Sequence, residues 1–353
     1  MKRSTKYVAL DVHQATTVSS VRDHTGRVIA RVIVPTEANA LVEHFRSMRG
    51  SIHVAFEEGT QAQWLHDLLK PLADSIIVCD RRGEARGNKG DVKDADALSD
   101  RLFKGDVRAV YHGSSERALL QEYTRTYRNL VQDSTRVMLR LKALFRARAI
   151  RARGERVYTP EHRAEWLAKL PDDGARFRAE SLYAQLDVLR ALRRAAKTTM
   201  IAEARRDPAW QQLRSIPYLG PVRVALLLAV LKTPWRFRTK RHLWAYAGLA
   251  VVTQSSSDHE FIDGHAVRRK RKPLTRGLNQ NHNRVAKNVF KSAAAAALGR
   301  PGELRDLHEA MVARGMRTDM ARLTLARKFA ALTLRLWKTG EAYDPTKLTA
   351  AAT

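Results

Sequence analysis

Asp11, Glu57, Asp91 and Asp94 are the residues whose types and spacing could do chemistry together in this chain. Asp11 interrupts an apolar, strand-like run, KYVALDVH, between Leu10 and Val12. Glu57 closes a second such run, Ile52–Phe56, with Glu58 as its rival because a strand end leaves the alternation open. Asp91 and Asp94 stand at i and i+3, so a helix would place both on one face. Clustered carboxylates repel, and the cluster becomes tolerable when divalent cations lie between them. Oxygen-only ligands favour Mg²⁺ or Mn²⁺ over zinc. Two such ions about 3.5–4 Å apart clamp the in-line displacement of a phosphodiester. His13 reads as a strand residue rather than a ligand, and no His or Cys spacing suggests a zinc site.

The elements that must position these acids follow from apolar patterning. Lys6–His13, Thr16–Arg22 and Arg27–Val34 read as three strands of an antiparallel meander, with a polar turn at Asp23–Gly26. Helical Ala38–Met48, strand-like Ile52–Phe56, helical Gln63–Leu72, strand-like Ser75–Asp80 and helical Asp91–Phe103 follow. The order β-β-β-α-β-α-β-α predicts an α/β sheet with one antiparallel edge. Neighbouring first and fourth strands would bring Asp11 and Glu57 side by side, with the Asp91/Asp94 helix facing them.

Charge separates this unit from the rest. The 353 residues carry 64 Lys+Arg against 36 Asp+Glu, a net charge of +28. Residues 1–110 hold 17 basic and 15 acidic residues, a net of only +2, so the remaining 243 carry +26. A surface this basic calls for a polyanion partner, with nucleic acid first. The densest run is Arg268, Arg269, Lys270, Arg271 and Lys272, continued by Arg276, Arg284, Lys287 and Lys291. No acid occurs between Asp263 and Glu303, which predicts phosphate contact rather than a merely solvated face. One cysteine, Cys79, excludes a disulfide scaffold. The N-terminus fits no signal peptide and no stretch is apolar enough to span a membrane, which predicts a cytoplasmic protein.

Leu120, Tyr123, Tyr127, Leu130, Ser134, Val137, Leu141 and Leu144 step as an unbroken heptad seam. Leu182, Leu186, Leu189, Arg193, Ala196 and Met200 carry similar spacing after a break. This predicts a long helical coiled-coil arm, its seams used either within an antiparallel hairpin or between chains. Beyond it, SIPYLGPVRVA (215–225) resembles a helix-hairpin-helix element, although a plain helix-turn-helix bend fits too. Tyr218 stands there where glycine is frequent. Ser255, Ser256 and Ser257 lie in a polar loop before the basic run, either as a linker or as a nucleophile beside guanidinium groups. Asn279, Asn281 and Asn283 precede a helix reaching Ala297, as caps or readers of base edges.

Taken in order, ALDVH (9–13), FEEGT…WL (56–65), GNKGDVKDADAL (87–98), SIPYLGPV (215–222), WAYAGLAVVTQSSSD (244–258) and TRGLNQNHN (275–283) resemble the DEDD transposases of bacterial insertion sequences. That is the IS110 family, which includes the Piv-type DNA invertases. The resemblance implies an RNase H-like (RuvC-like) catalytic domain over 1–112 and a helical arm over 113–207. A mainly helical transposase domain with a nucleophilic serine would follow over 208–340, and a tail over 341–353. It implies a metal-binding quartet of Asp11, Glu57, Asp91 and Asp94. It points to Ser256 as the nucleophile by its distance from Gly248-Leu249, with Ser255 and Ser257 as rivals. The family's Glu-x-Thr-Gly appears here as Glu57-Glu58-Gly59-Thr60.

The activity so implied is transposition by a DNA transposase/recombinase. Metal-dependent strand cleavage would pass through a covalent serine–DNA intermediate, followed by exchange and re-ligation without ATP. Implied partners are DNA, as element ends and target, a bridge RNA as guide, and further copies of the chain in a dimer or tetramer. Two rivals are a metal-dependent nuclease of the Holliday-junction-resolvase type and a DNA invertase working without an RNA guide. A third is a non-enzymatic nucleic-acid-binding protein.

Overall fold

The computed structural model describes residues 4–80, 90–111, 117–254, 259–262, 265–268 and 274–346. The chain forms two compact units, 1–114 and 115–353.

The first unit is a mixed α/β domain. Strands β1 (Thr5–Val12), β2 (Thr16–Arg22) and β3 (Val28–Pro35) form the antiparallel meander. Helix α1 (Ala38–Arg46) leads to β4 (Ser51–Glu57), and α2 (Ala62–Leu69) leads to β5 (Ser75–Cys79). Both later strands run parallel to β1, in the sheet order β3-β2-β1-β4-β5. Helix α3 (Asp91–Lys104) completes the described part. Side chains alternate across the strands, so each face of the sheet builds its own core. Val8, Leu10, Val54 and Phe56 pack with Leu41, Phe45, Leu65 and Leu69 of α1 and α2. Ala9, Ala55 and Cys79 pack with Leu98 and Leu102 of α3.

The second unit opens with α4 (Ala118–Arg146). Two 3₁₀ turns and the short α5 (Arg163–Ala168) precede α6 (Asp173–Ala204). The heptad seams are used within the chain, in an antiparallel hairpin. At its closed end Val137, Leu141 and Leu144 meet Ala175, Ala179, Leu182 and Leu186 around Trp166. At its open end Leu120 joins Met200 and Ala204 in a separate core. Ser134, the polar member of the first seam, donates its hydroxyl to the Leu130 carbonyl, and buried Thr124 beside the seam donates to that of Gln121, so neither hydroxyl is unpaired.

The open-end core is centred on α8 (Pro221–Leu231), a helix apolar on nearly all sides, reached from α7 (Trp210–Ser215). Around it pack α10 (Arg284–Leu298) and α12 (Thr318–Thr339), with α9 (Lys240–Tyr246) and α11 (Glu303–Ala313) completing the layer. Where the sequence predicts only a polar loop and a basic segment between α9 and α10, the structure has four short strands. β6 (Val251–Gln254) pairs antiparallel with β9 (Leu274–Leu278), and β7 (His259–Ile262) with β8 (His265–Arg268). Strands of four or five residues, three of them with mixed polar and apolar sequence, carry too few positions to show a period. The second unit is mainly helical, as expected, with two short β-ribbons added. No described helix is long and apolar enough to cross a membrane.

Candidate metal site and nucleic-acid surfaces

The parallel register of β1 and β4 runs from Thr5 opposite Ser51 to Leu10 opposite Phe56. One residue further, Asp11 and Glu57 stand at the same height on adjacent strands. Ala9 and Ala55 face α3, so two residues on, Asp11 and Glu57 belong to that same face. Glu58 lies past the strand end, where its backbone N–H donates to the Cys79 carbonyl 2.9 Å away. Both glutamates line a cleft of about 180 Å³ with Asp11, His13 and Thr60 over a floor of Phe56 and Leu65.

Helix α3 brings Asp91 and Asp94 in its first turn, where negative charge is favoured by the helix dipole. Its placement rests on a polar network to the sheet. The fully buried hydroxyl of Ser20 donates to Asp96 Oδ1 at 2.6 Å and lies 3.1 Å from Ser99 Oγ. Arg31 Nε donates to Asp96 Oδ2 at 2.8 Å. Arg22 donates through Nε to Ser99 Oγ and through its terminal nitrogens to the carbonyls of Gly26 and Asp96. These contacts fix α3 across β2 and β3, so the register of its first turn over Asp11 is set.

His13 stands between the acids. Its Nε2 lies 3.2 Å from Asp11 Oδ2 and 3.6 Å from Asp91 Oδ1. Asp11, His13 and Asp91 offer ligand atoms that all lie within 4.8 Å of one another. Burial holds the Asp11 carboxyl above the ordinary aspartate range. Its contact with His13 opposes that shift, while the charges of Asp91 and Asp94 add to it. The reading of His13 as a strand residue is corrected: it follows β1, and its imidazole joins the acids. The i, i+2 step from Asp11 is only a weak signal, because His13 lies past the strand end. A hard divalent cation fits this donor set, since carboxylate oxygens dominate it and their mutual repulsion is the feature such an ion relieves.

In the second unit, α7 and α8 flank a turn in which Tyr218 adopts φ +65°, the left-handed conformation that glycine takes without strain. Its carbonyl accepts from Arg223 at 2.8 Å. Gly220 and Pro221 open α8. After α9, Gly248 at φ +63° lets the His282 ring approach so closely that a Cβ would stand 2.4 Å from it. Asn283 caps α10 by accepting from the N–H groups of Val285 and Ala286. Asn279 is turned to the carbonyls of Ala245 and Asn281, whereas Asn281 is exposed. On α10, Arg284, Lys287 and Lys291 share one face, and burial together with Lys291 pulls the Lys287 ammonium below its ordinary pKa. Arg268 ends β8 and Arg276 lies in β9. Ser255, Ser256, Ser257, Arg269, Lys270, Arg271 and Lys272 lie outside the described residues.

Residues 8–148 match the family model of DEDD transposases of the IS110 type, and residues 210–300 match the transposase family IS116/IS110/IS902. The chain is also 30% identical, over 164 residues, to the insertion element IS110 uncharacterized 43.6 kDa protein of Streptomyces coelicolor. That stretch spans 46% of this chain and 37% of the relative. The chain belongs to the IS110 family of DEDD transposases.

Proposed function

We propose that this chain is a metal-dependent DNA transposase whose phosphodiester chemistry is centred on Asp11, Glu57, Asp91 and Asp94 in an RNase H-like domain. The observation that carries the reading is the convergence of Asp11, at the end of a central strand, with Asp91 of α3 around His13, with Glu57 level with Asp11 in the neighbouring strand. Mg²⁺ or Mn²⁺ held by the four carboxylates would polarise the scissile phosphate and stabilise the leaving oxygen. His13 would orient the Asp11 carboxylate through the hydrogen bond it already makes.

In this proposal Ser256 Oγ attacks the phosphorus and gives its proton to a carboxylate, while one P–O ester bond of the strand breaks and its leaving oxygen takes up a proton as a strand hydroxyl. The new phosphoserine ester keeps the bond count, so a strand hydroxyl can reverse the step without ATP. The serine run after β6 and the basic segment that follows it support this assignment. The partners proposed are element-end and target DNA and a bridge RNA, gripped by Arg268–Lys272, Arg276, Arg284 and Lys287. Assembly as a dimer or tetramer in the cytoplasm belongs to the same proposal.

The test uses purified protein, Mn²⁺ and DNA spanning an element end. Asp11→Asn and Asp91→Asn should abolish strand cleavage, and Ser256→Ala should abolish the SDS-resistant protein–DNA adduct. Cleavage that persists in Ser256→Ala without an adduct would instead identify a water-using nuclease of the resolvase type.

A further inference from the structure

A second concavity, of about 550 Å³, opens in the second unit between α9, α11 and α12. Lys240, Arg314, Arg327 and Lys328 line it beside Trp244 and Met311, and no acid takes part. None of the four cations pairs with a carboxylate among the described residues. Arg327 Nε donates to the Leu249 carbonyl at 2.7 Å, and Arg314 Nε to that of Ala310 at 3.2 Å. Both guanidiniums therefore keep their terminal nitrogens for something else. Lys328 is half-buried, and burial, then Lys240 and Arg335, depress its ammonium pKa. Like charges crowded into a recess repel, and an anion placed among them removes that repulsion.

The aromatic wall narrows the choice of anion. The Trp244 indole N–H donates to the Arg327 carbonyl at 3.0 Å, which fixes the ring plane. Lys240 and Arg327 stand 5.8 Å from its centroid, so the ring is framed by charge. Inorganic phosphate would leave this plane and the methionine wall unused. A planar base bearing a phosphate uses both, and the volume suits a ligand of that size. A base inside a duplex stays stacked on its neighbours and cannot enter.

We infer that this pocket holds one unpaired nucleotide of a single nucleic-acid strand, its base against Trp244 and its phosphate among Lys240, Arg314 and Lys328. The inference rests on the nucleic-acid reading above for its ligand class only. It names a site distinct from the carboxylates and the basic run.

The test irradiates the full chain with eight-residue oligodeoxyribonucleotide and oligoribonucleotide probes carrying one 5-iodouracil, and maps the adducts by mass spectrometry. Adducts on Trp244, Met311 or Met316, a further lining residue, are expected, and the strand type that gives them identifies the source. Replacing the crosslinking nucleotide by an abasic one should weaken binding about 5- to 150-fold. The double variant Lys240→Gln/Arg314→Gln changes two exposed side chains around the one phosphate and should lower the log–log salt slope by about 0.7. Trp244→Phe should retain the adduct and Trp244→Leu should lose it. Adducts confined to other segments, or unchanged affinity and slope in the double variant, would overturn the inference. The probe reports capture and not cleavage. Failed capture with intact Asp11-dependent cleavage removes this pocket alone, whereas intact capture with Asp11-independent cleavage removes the carboxylate proposal alone.

Discussion

His13 and Asp91, 78 positions apart in sequence, meet with the imidazole Nε2 3.6 Å from the aspartate Oδ1. The same nitrogen lies 3.2 Å from Asp11, so one side chain links the strand end to the helix that closes over it. Residues that orient ligating carboxylates matter nearly as much as the ligands. His13→Ala should weaken Mn²⁺ binding about 10- to 100-fold, read by titration of the purified chain. An unchanged affinity would leave His13 as a bystander.

Asp11 gives a stability prediction opposite in sign to its effect on metal. Its folded pKa lies above its unfolded value of 3.8, so the folded state holds the proton more tightly. The contribution is favourable below that window and is lost as pH rises through it. At neutral pH the ionised group costs stability, and Asp11→Asn should raise the melting temperature of the metal-free chain while abolishing Mn²⁺ binding. Melting temperatures in EDTA and with Mn²⁺ check both halves.

Asp96 touches none of the proposed ligands directly yet holds the helix that carries two of them. Asp96→Ala removes the acceptor of the Arg31 guanidinium and one of the two partners of the buried Ser20 hydroxyl. A loss of about 2 kcal/mol is expected in urea unfolding of the first unit. Metal affinity should drop with it, and Asp96→Asn should recover part of both.

His44 sits half-buried with Nε2 2.8 Å from Ser19 Oγ, and burial pulls its pKa below 6.5. The unfolded chain therefore takes up the proton first on acidification. The stability this neutral imidazole contributes is present above pH 6.5 and is lost as pH falls from there toward the folded pKa. His44→Gln should flatten the decline in melting temperature between pH 7.5 and 5.5.

Ala149 follows α4 at φ +55° on an exposed turn. Ala149→Gly should stabilise the arm by about 1 kcal/mol, because glycine takes that conformation freely. Thermal unfolding reads it directly, and destabilisation would contradict the assigned turn.

The sheet was legible because KYVALDVH and SIHVAFE are short apolar runs bounded by polar turns, and the helices between them carry apolar stripes. The acids were legible for a related reason: a charge inside an apolar strand, or a helical i, i+3 pair, stands out. His13 was not, since one imidazole beside a strand resembles any solvated histidine until α3 folds over it. The height of Glu57 beside Asp11 needed the register with β1, which sequence does not encode locally. The Trp244 pocket has no local signature because Lys240 lies more than 70 residues before Arg314, Arg327 and Lys328, so no run of charge announces it. The β-ribbons were hidden by their brevity.

The α4–α6 hairpin has a mechanical consequence. Helices of 29 and 32 residues reach about 45 Å, and their packing is concentrated in one core at each end. Such a rod acts as a lever. A rotation of about 10° at its base would sweep the closed end through about 8 Å, more than two base-pair steps of duplex. Small repacking around Leu120, Met200 and Ala204 is thereby converted into displacement on the scale of nucleic-acid strands.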